Sequence, residues 1–535
     1  MAVRPWATAD GPGPPPPKRG KMSAKSKLSL LAASLLAVVV ASPIQAQEKS
    51  IFESAGAEAK YVPGDFEPAP DMMQTRFGTL EFPGGYPTEE TVQKVYDELD
   101  LQRATQLYLD MYPALSAHGL IKGWVRDYGI SDISDIVVTA DRLDSTPLIL
   151  TGNTESLYSF FVLDLKANGP IVLEVPVGVM GPIDDHNFLF IADVGPTGQD
   201  KGQGGKYLLL PPDYEGDVPD GYFVVRSPTY LAFSFLRANA EVVGTGEKAL
   251  QFYRENAAVY PLKTGPREPR VMNGSGVASN TLVPEDASAF KWMHEVIDYE
   301  PADAFGKELL GRLASLGIEK GKPFEPDARM RKIFATAAQE GVAMSRVIAF
   351  ENRDENAKVY SNRQWESPYI TNNSTFYQDD HINLEARTTF HFTADGITPA
   401  MAAQMPEGKG SRYQTTYMDS EGRFLDGNKT YKLHMRPNVP VALFWAVTVY
   451  DPWTRSEIQS QPYPSISSQQ DPPPQTNADG SIDVYFSVER PEGVQEQNWV
   501  RTLPDQGFFV YIRYYGPLNA FNEKTWVPND VELVK

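Results

Sequence analysis

Short apolar runs separated by glycine and proline turns form the main pattern in the first half of the chain. Branched and aromatic side chains dominate these runs, which favours strands, and the prolines mark the turns between them. The predicted strands are residues 136–139, 148–151, 157–165, 171–175, 187–192, 207–210 and 222–225. Many short strands at such close intervals are typical of a β-sandwich or a β-barrel.

A second strand-rich region begins near Tyr413. Its clearest predicted strands are residues 430–435, 441–450, 481–489 and 508–515. Residues 441–450 are apolar on both faces, which predicts a central strand, whereas residues 481–489 alternate and predict a half-exposed antiparallel strand. Asp-Gly pairs precede two of these strands and suit hairpin turns. The C-terminal region is therefore predicted to be a jelly-roll-like β-sandwich.

Helical periodicity appears in two places. A helix is predicted to begin after Thr88 as its N-cap, with two glutamates in its first turn, and to end by Pro113. Residues 231–352 are predicted to be mostly helical and to cover the sheets. Residues 379–392 are predicted to form a strand with a polar face, on which Asp379, His381, Asn383 and Glu385 share one side.

The predicted fold class is mainly β (α+β), with two β-sandwich or jelly-roll-like domains and a helical middle segment. The predicted domains are an N-terminal extension with signal peptide (residues 1–46), an extended lead-in (47–85), an N-terminal β-rich domain with a leading helix (86–230), a helical bridge (231–395) and a C-terminal sandwich (396–535). The length of 535 residues is ample for two such cores.

The first residues of the chain predict export. Lys25 and Lys27 precede an apolar run at residues 28–41, and small residues follow it, so cleavage could fall after Ala41 or Ala46. A short membrane anchor is the alternative. Met1 and Met22 are both possible starts. We expect a periplasmic or secreted protein without an integral membrane span after cleavage.

Charge and cysteine content exclude several function classes. The chain has 49 Lys and Arg against 69 Asp and Glu, a net charge of −20, so it should repel nucleic acid and anionic membranes. It has no cysteine, which rules out disulfides, thiolate catalysis and cysteine metal sites.

Candidate chemistry concentrates in residues 178–214. Asp184, Asp185 and His186 precede the predicted strand 187–192, and Asp193 follows it. Carboxylates and an imidazole can activate water or bind a hard divalent cation, so Asp185 and His186 are the catalytic candidates. Asp184, Asp185 and Asp193 are the candidate ligands of a divalent metal ion. The alternative is a solvated turn in an acidic protein.

A glycine- and lysine-rich loop follows in the same segment. Lys201 and Lys206 stand among Gly198, Gly202, Gly204 and Gly205, a composition that could cradle an anionic head group. A flexible hairpin loop is the equally favoured alternative. The loop is not a P-loop, because Tyr207 replaces Ser or Thr, and the serine-hydrolase elbow and the zinc-protease motif are absent from the sequence.

Several segments resemble a bacterial family known as domain of unknown function 1254, usually followed by domain of unknown function 1214. Residues 147–158, 169–176 and 200–212 carry the first resemblance, and residues 447–451, 498–499 and 513–517 the second. The resemblance implies bacterial origin, export and two β-rich domains. Hydrolysis of alkyl sulfate-like amphiphiles is proposed within this family. Glu155 stands where the family often has aspartate.

The resulting hypothesis is an exported hydrolase that acts on a small anionic or amphiphilic ester, such as an alkyl sulfate, with possible help from a metal. Lys201 and Lys206 would receive the head group. Further substrate-binding candidates are Asn153, Tyr158, Tyr207 and Arg455, of which Arg455 has a structural ion pair as its commoner alternative. The rival hypothesis is a non-catalytic periplasmic ligand-binding or cell-envelope assembly module. Either could form a homo-oligomer.

Overall fold

The computed structural model describes Gly64 and residues 67–534 of the chain. The predicted signal peptide lies outside these residues. Part of the predicted extended lead-in forms a hairpin of two antiparallel strands, Met72–Thr75 (β1) and Gly78–Glu81 (β2). All the sheets and helices described below belong to one compact unit, Pro70–Lys535.

The N-terminal sandwich consists of a six-stranded sheet packed on a four-stranded sheet. Its strands are Asp135–Val138 (β3), Leu157–Asp164 (β4), Ile171–Val175 (β5), Val179–Asp185 (β6), Phe190–Val194 (β7), Gly205–Leu210 (β8), Phe223–Arg226 (β9), Leu231–Ala238 (β10), Ala258–Pro261 (β11) and Arg270–Asn273 (β12). The strand orders are β12-β3-β4-β10-β6-β7 and β11-β5-β8-β9. Alternate residues of β4, such as Phe161 and Leu163, meet Leu173 and Leu209 of the second sheet in the core.

The helices lie between and beside the two sandwiches. They are Glu89–Asp127 (α1), Leu165–Asn168 (α2), Ala240–Val243 (α3), Glu247–Asn256 (α4), Ser288–Tyr299 (α5), Lys307–Ala314 (α6), Ala328–Phe350 (α7), Leu384–Thr393 (α8), Pro399–Ala402 (α9) and Asn519–Asn522 (α10). The long helices α1, α5 and α7 share a core that includes Leu107, Met111, Phe290 and Phe334.

Helix α1 confirms its predicted start but not its predicted end. The side chain of Thr88 accepts a hydrogen bond from the backbone N–H of Thr91, as an N-cap does. The helix continues past Pro113 for fourteen more residues to Asp127. Residues on both sides of the proline are buried in the helical core, and that packing outweighs the hydrogen bond that proline cannot make.

Two other local predictions were wrong. Leu231–Ala238 lies within the predicted helical segment, yet it is a strand that pairs with both β4 and β6 in the middle of the six-stranded sheet. Residues 384–393 form helix α8 instead of a strand, capped by the side chain of Asn383 on the backbone N–H of Ala386. In both cases tertiary packing overrode an ambiguous local pattern.

The C-terminal sandwich packs two four-stranded sheets around a second core. Its strands are Ser411–Thr416 (β15), Tyr431–Met435 (β16), Val441–Tyr450 (β17), Ser465–Ser467 (β18), Ile482–Ser487 (β19), Trp499–Arg501 (β20), Phe509–Pro517 (β21) and Val531–Leu533 (β22); two short strands, Tyr377–Gln378 (β13) and His381–Ile382 (β14), form a separate hairpin. The strand orders are β15-β21-β17-β18 and β20-β19-β16-β22. As predicted, β17 is central and apolar. The mainly β, α+β fold class with a helical middle segment is confirmed.

The outer face of one C-terminal sheet is also buried. Along β21, Val510, Ile512 and Tyr514 point into the sandwich core, and Tyr511, Arg513 and Tyr515 point to the other side, where they remain at most 5% exposed. The outer face of the six-stranded N-terminal sheet lies nearby, because Arg237 of β10 lies over the ring of Tyr515 at 5.9 Å. No helix in the described part of the chain is long and apolar enough to cross a membrane.

Candidate functional site

The predicted catalytic turn lies in the protein interior. Asp184 and Asp185 end strand β6, and both are fully buried. Asp184 Oδ2 accepts a hydrogen bond from the backbone N–H of Ile397 at 3.1 Å, and Asp185 Oδ1 accepts bonds from the N–H groups of Asn187 and Leu189 at 2.9 and 2.8 Å. Burial raises the pKa of Asp185 to about 7. These carboxyl groups hold loops in place.

His186 is part of a buried chain of polar contacts. Its Nδ1 is 2.7 Å from Glu300 Oε1, and its Nε2 is 3.1 Å from Nδ1 of His118 in helix α1. His118 Nε2 in turn lies 3.0 Å from Glu295 Oε2, which accepts a bond from Lys122. The three contacts run from Glu300 through His186 and His118 to Glu295, and we call this chain the histidine relay. Two neutral imidazoles supply only two N–H groups, so a hydrogen bond at every contact requires one additional proton.

The predicted anion cradle is occupied by a carboxylate of its own loop. Asp200 is 4% exposed and accepts hydrogen bonds from the backbone N–H groups of Gly195 and Gly204 at 2.8 and 3.1 Å. The hydroxyl of Tyr207 donates to the same carboxylate at 2.7 Å, and its ring is buried in the sandwich core. Lys206 pairs with Glu174 at 2.7 Å. Tyr207 is therefore a core residue, and Lys201 is the lysine of this loop that forms no ion pair among the described residues.

The two halves of residues 178–214 lie at opposite ends of one hairpin. Strands β6 and β7 pair antiparallel, with Gly181 opposite Val194 and Asp184 opposite Phe190. The glycine-rich loop follows Val194, whereas Asp185 and His186 lie beyond Asp184. Four strand residues separate the ends, roughly 13 Å. The candidate groups of residues 178–214 therefore do not form a single cleft.

The proposed metal ligands do not converge either. Asp193 accepts a bond from the hydroxyl of Thr398 at 2.7 Å, next to the Ile397 backbone that Asp184 holds, while Asp185 caps its own turn. Among the described residues, no group of three or more His, Asp and Glu side chains could hold a metal ion. Asp379, His381 and Glu385 are split between the β13–β14 hairpin and helix α8.

Arg455 joins elements and does not face a cleft. It is fully buried, its Nε donates to the carbonyl of Phe392 at 3.2 Å, and its Nη1 donates to Glu285 at 3.1 Å. Its guanidinium lies 4.2 Å from the centre of the Phe392 ring. Arg455 therefore forms a structural ion pair with Glu285, which was the alternative to a substrate contact.

A different group of polar residues gathers where the two sandwiches meet. We call it the inter-sandwich cluster, and its members are Asn153, Glu155, Tyr158, Arg237, Tyr450, Glu457, Arg513 and Tyr515. Several of its polar atoms are buried without a hydrogen-bond partner among the described residues: Glu155 Oε2, both carboxyl oxygens of Glu457, Nε of Arg513 and the hydroxyl of Tyr515. Since buried polar groups are nearly always satisfied, such a concentration marks a functional candidate.

Arg513 links the two sandwiches at the centre of this cluster. From strand β21 it donates to the hydroxyl of Tyr450 at 2.6 Å and to the carbonyl of Gly152 at 2.9 Å, and it also bonds the carbonyl of Thr151. Tyr450 itself donates to the Gly152 carbonyl at 2.5 Å. The backbone before β4 is thereby held at a defined position against the C-terminal sheet.

Asn153 and Tyr158 shape the same loop. Asn153 donates to the hydroxyl of Tyr158 at 2.6 Å and accepts bonds from the backbone N–H groups of Glu155 and Ser156 at 3.1 and 3.0 Å. Asn153 is fully buried, so its amide orients Glu155 and does not contact a ligand directly. These two predicted substrate-binding residues belong to the cluster, in a positioning role.

A serine and a carboxylate meet at the edge of the cluster. Ser465 of the edge strand β18 donates its hydroxyl to Glu155 Oε1 at 2.6 Å, and the hydroxyl of Thr154 donates to the same oxygen at 2.9 Å. Glu457 lies behind them, where burial and the charge of Glu155 raise its pKa well above the usual range, although Arg513 opposes this rise. A serine hydroxyl beside a carboxylate is the minimal arrangement for activating a nucleophile.

Glu155 and Ser465 both line a cavity of about 600 Å³, which we call the acidic cleft. Its wall also contains Thr154, Ser467, Gln470, Tyr463 and Trp499. Three acidic residues, Glu155, Asp471 and Glu496, face one basic residue, Arg142. The cleft therefore suits a neutral or cationic molecule that carries hydroxyl or amide groups, and its charge opposes a sulfate.

Sequence reasoning missed Glu457, Ser465 and the cleft itself. Neither residue lies in a motif with a known mechanism. The one available signal was the resemblance, because residues 147–158, 447–451 and 513–517, which carry it, supply Asn153, Glu155, Tyr158, Tyr450, Arg513 and Tyr515 to one cluster.

Two solved structures resemble this chain at low sequence identity. No curated protein matches the chain. The solved structure of the VPA0106 protein from Vibrio parahaemolyticus is 18% identical with a TM-score of 0.48 and covers 82% of this chain and 100% of its own. A putative uncharacterized protein from Burkholderia cenocepacia is 11% identical with a TM-score of 0.35 and covers 82% of this chain and 96% of its own. Neither protein's name states a ligand or an activity.

Two family models match the chain. Residues 134–261 match the family described as protein of unknown function DUF1254, and residues 410–519 match the family described as protein of unknown function DUF1214. The first match covers most of the N-terminal sandwich, and the second begins just before β15 and ends just after β21. The two matches confirm the resemblance that the sequence motifs indicated for these two segments.

Proposed function

We propose that the protein is an ester hydrolase that uses Ser465 as nucleophile and Glu155 as general base. The observation that carries this proposal is the 2.6 Å hydrogen bond from the Ser465 hydroxyl to Glu155 Oε1 in the wall of the acidic cleft. The proposal keeps the hydrolase class expected from the sequence and replaces its residues. A carboxylate within hydrogen-bond reach of a hydroxyl can take its proton as the hydroxyl attacks.

The reaction would proceed in two steps. Ser465 Oγ attacks the ester carbonyl and its proton passes to Glu155; the bond to the alcohol breaks, and the leaving oxygen takes that proton. Water then attacks the acyl-serine with Glu155 again as base, which releases the acid and restores Ser465. The guanidinium of Arg142 lines the same cleft and is the group available to stabilise the oxyanion.

A buried carboxyl group lies behind the proposed base. Burial and the charge of Glu155 raise the pKa of Glu457 well above its usual range, which favours the protonated form of Glu457. Asn153 fixes the backbone of Glu155, and Arg513 fixes the residues just before it. These contacts pre-organise the base without touching a substrate.

Substrate charge distinguishes this proposal from the alkyl sulfate hypothesis. The acidic wall favours neutral carboxylic esters with hydroxyl or amide groups, which the glutamine and serine side chains of the cleft can bind. Trp499 and Tyr463 offer aromatic surface for an apolar portion. Cleavage of sulfate esters stays the sequence-based alternative and is tested in the same assay.

A substrate panel and a covalent label test the proposal together. Purified protein should hydrolyse p-nitrophenyl acetate or butyrate faster than p-nitrophenyl sulfate or phosphate, and a fluorophosphonate should modify Ser465, located by peptide mass. Ser465→Ala should abolish both, whereas Ser460→Ala, a serine of the same sandwich outside the cleft wall, should abolish neither. Full turnover by Ser465→Ala would overturn the proposal.

A non-catalytic ligand-binding module is the second candidate. The observation that favours it is the composition of the cleft, in which amide and hydroxyl side chains outnumber groups able to do chemistry. Such a protein would bind hydroxyl-rich molecules in the cleft with no turnover of any ester. Export to the periplasm or the medium, with cleavage after Ala41 or Ala46, stays part of both proposals, and analysis of the mature N-terminus tests it.

A further inference from the structure

A second cavity has the opposite charge to the acidic cleft. Its volume is about 410 Å³, and its wall contains Lys358, Arg412 and Lys524 but no Asp or Glu side chain. We call it the basic cavity. In a chain of net charge −20, three cations around one cavity without an acidic residue is a local reversal of the protein's electrostatics.

The three cations keep donors available. Arg412 Nη1 donates to the carbonyl of Ala402 at 2.6 Å, and Lys524 donates to the carbonyl of Val359 at 2.8 Å. Among residues 67–534, none of the three forms an ion pair with a carboxylate. An arginine has five N–H donors and a lysine three, so most of these donors are free to bind a ligand.

The positive charge in the wall of the basic cavity is energetically unfavourable without an anionic partner. Burial lowers the pKa of Arg412, since the guanidinium is partly withdrawn from water. Glu366 lies opposite Lys358 across an isolated bridge, but burial raises the pKa of Glu366 to about 7, so it is only partly ionised at neutral pH. A bound anion would satisfy cations that the protein itself leaves unpaired.

The uncharged residues of the cavity wall indicate which other groups a ligand would carry. Tyr369, Tyr413 and Phe521 provide aromatic surface, while Asn356, Asn372 and Asn522 provide amides. Amide and guanidinium groups around an oxyanion are a recurrent arrangement for phosphate, sulfate and carboxylate. Aromatic faces suit an apolar or aromatic body attached to that head group.

We propose that the basic cavity is a binding site for a small oxyanion ligand, a phosphate, sulfate or carboxylate joined to an apolar body, held by Lys358, Arg412 and Lys524. This site is separate from the acidic cleft and does not depend on the esterase proposal. Tyr413 lines the basic cavity, and the guanidinium of Arg513 in the inter-sandwich cluster lies 5.2 Å from the centre of its ring, so Tyr413 adjoins both groups.

Calorimetric titration of the full chain with three probes tests the site. Phenyl phosphate should bind, inorganic phosphate should bind more weakly, and phenol should bind weakest, because only the first combines charge with an aromatic body. Binding of phenyl phosphate should weaken as salt rises. If phenol binds as tightly as phenyl phosphate, or if wild-type protein binds no phosphate probe, the proposal is overturned.

Matched lysine variants locate the bound anion. Lys358→Gln and Lys524→Gln should each weaken phenyl phosphate binding about tenfold, because each removes a charge-assisted contact. Lys201→Gln is the control, since it removes an exposed lysine from the glycine-rich loop and should leave affinity within about twofold. Arg412→Gln should have the largest effect if it folds. Unchanged affinity in Lys358→Gln and Lys524→Gln, or loss in Lys201→Gln, would contradict the site.

Discussion

The turn at Asp184–His186 and the inter-sandwich cluster are both buried groups of ionisable residues with some unpaired atoms, but they differ in what adjoins them. In the turn, each side chain bonds a loop backbone or another member of the histidine relay, and Asp184 Oδ1 and Asp185 Oδ2 have no partner among the described residues. In the cluster, neither oxygen of Glu457 has a partner among the described residues, and Glu155 has one unpaired oxygen and lines a cleft. Residue chemistry is similar in the two places. The combination of unsatisfied groups and an adjoining cavity is what distinguishes a candidate site from a structural one.

The largest effect expected from this difference is on turnover. Glu155→Gln keeps the shape of the side chain and removes its basicity, so ester hydrolysis should fall by two to four orders of magnitude, roughly the contribution of a general base. Steady-state kinetics on the best ester of the panel measure this loss. A fall of less than about tenfold would remove Glu155 from the base role.

The structural role of the relay predicts a loss of stability with no change in chemistry. Glu300 is fully buried and accepts bonds from His186 and from the backbone N–H groups of Tyr230 and Leu231. Glu300→Ala leaves these donors unpaired and should lower the free energy of unfolding by about 3–5 kcal/mol in urea titrations. Glu308→Ala, an exposed glutamate at the start of α6, should change it by less than about 0.5 kcal/mol.

The buried Asp185 predicts a pH dependence of stability. Its pKa is raised to about 7 in the folded protein from an ordinary value of about 3.8, so the folded state binds more protons between those values. Stability from this group is complete below about pH 4 and is lost as pH rises to about 7, by at most roughly 1.4 kcal/mol per pH unit.

Asp185→Asn should flatten this pH dependence. The amide oxygen can still accept the bonds of Asn187 and Leu189, but it does not titrate. Unfolding free energies from pH 4 to 8 measure the change, and Asp220→Asn in an exposed loop serves as control. If the unfolding free energy of Asp185→Asn declines equally steeply with pH, the pH dependence arises from other buried acids. Asp395 is one of them, because burial also raises its pKa to about 7.

The smallest effect is expected at the loop that the sequence singled out as an anion cradle. Lys206 is 47% exposed and its partner Glu174 is 26% exposed, so their ion pair is screened by solvent. Lys206→Ala should change stability by less than about 1 kcal/mol. It should also leave phosphate binding unchanged in the titration, and a clear loss of binding would restore the cradle hypothesis.

Local pattern was sufficient to locate several of the strands. Strands β4, β5, β8, β17 and β21 lie where period-two and apolar runs predicted them, because the side chains of a buried strand must follow its pleat. The pattern failed at Leu231–Ala238, which is apolar enough for either a helix or a central strand. It also failed at Pro113, where burial against α5 and α7 keeps the helix continuous.

Functional residues were harder to predict from the sequence than secondary structure. The sequence singled out Asn153 and Tyr158 for substrate contact, whereas in the structure they hold the backbone near Glu155. The sequence singled out Asp185 and His186 because of their residue types. Whether such side chains can act on a ligand depends on whether they reach a cavity, which residue type does not show. Asp200 showed the same limit, since its carboxylate fills the loop whose glycines suggested an anion site.

The amino-acid sequence alone determined the strand-rich regions, the charge, the lack of cysteine and the two family segments, because each follows from composition or from short-range periodicity. Only the tertiary structure decided where chemistry can occur. Glu155, Glu457 and Ser465 are brought together by packing the outer faces of two sheets, with Ser465 Oγ 2.6 Å from Glu155 Oε1 across 310 residues of chain. Contacts at such separation depend on the whole fold, and no local pattern encodes them.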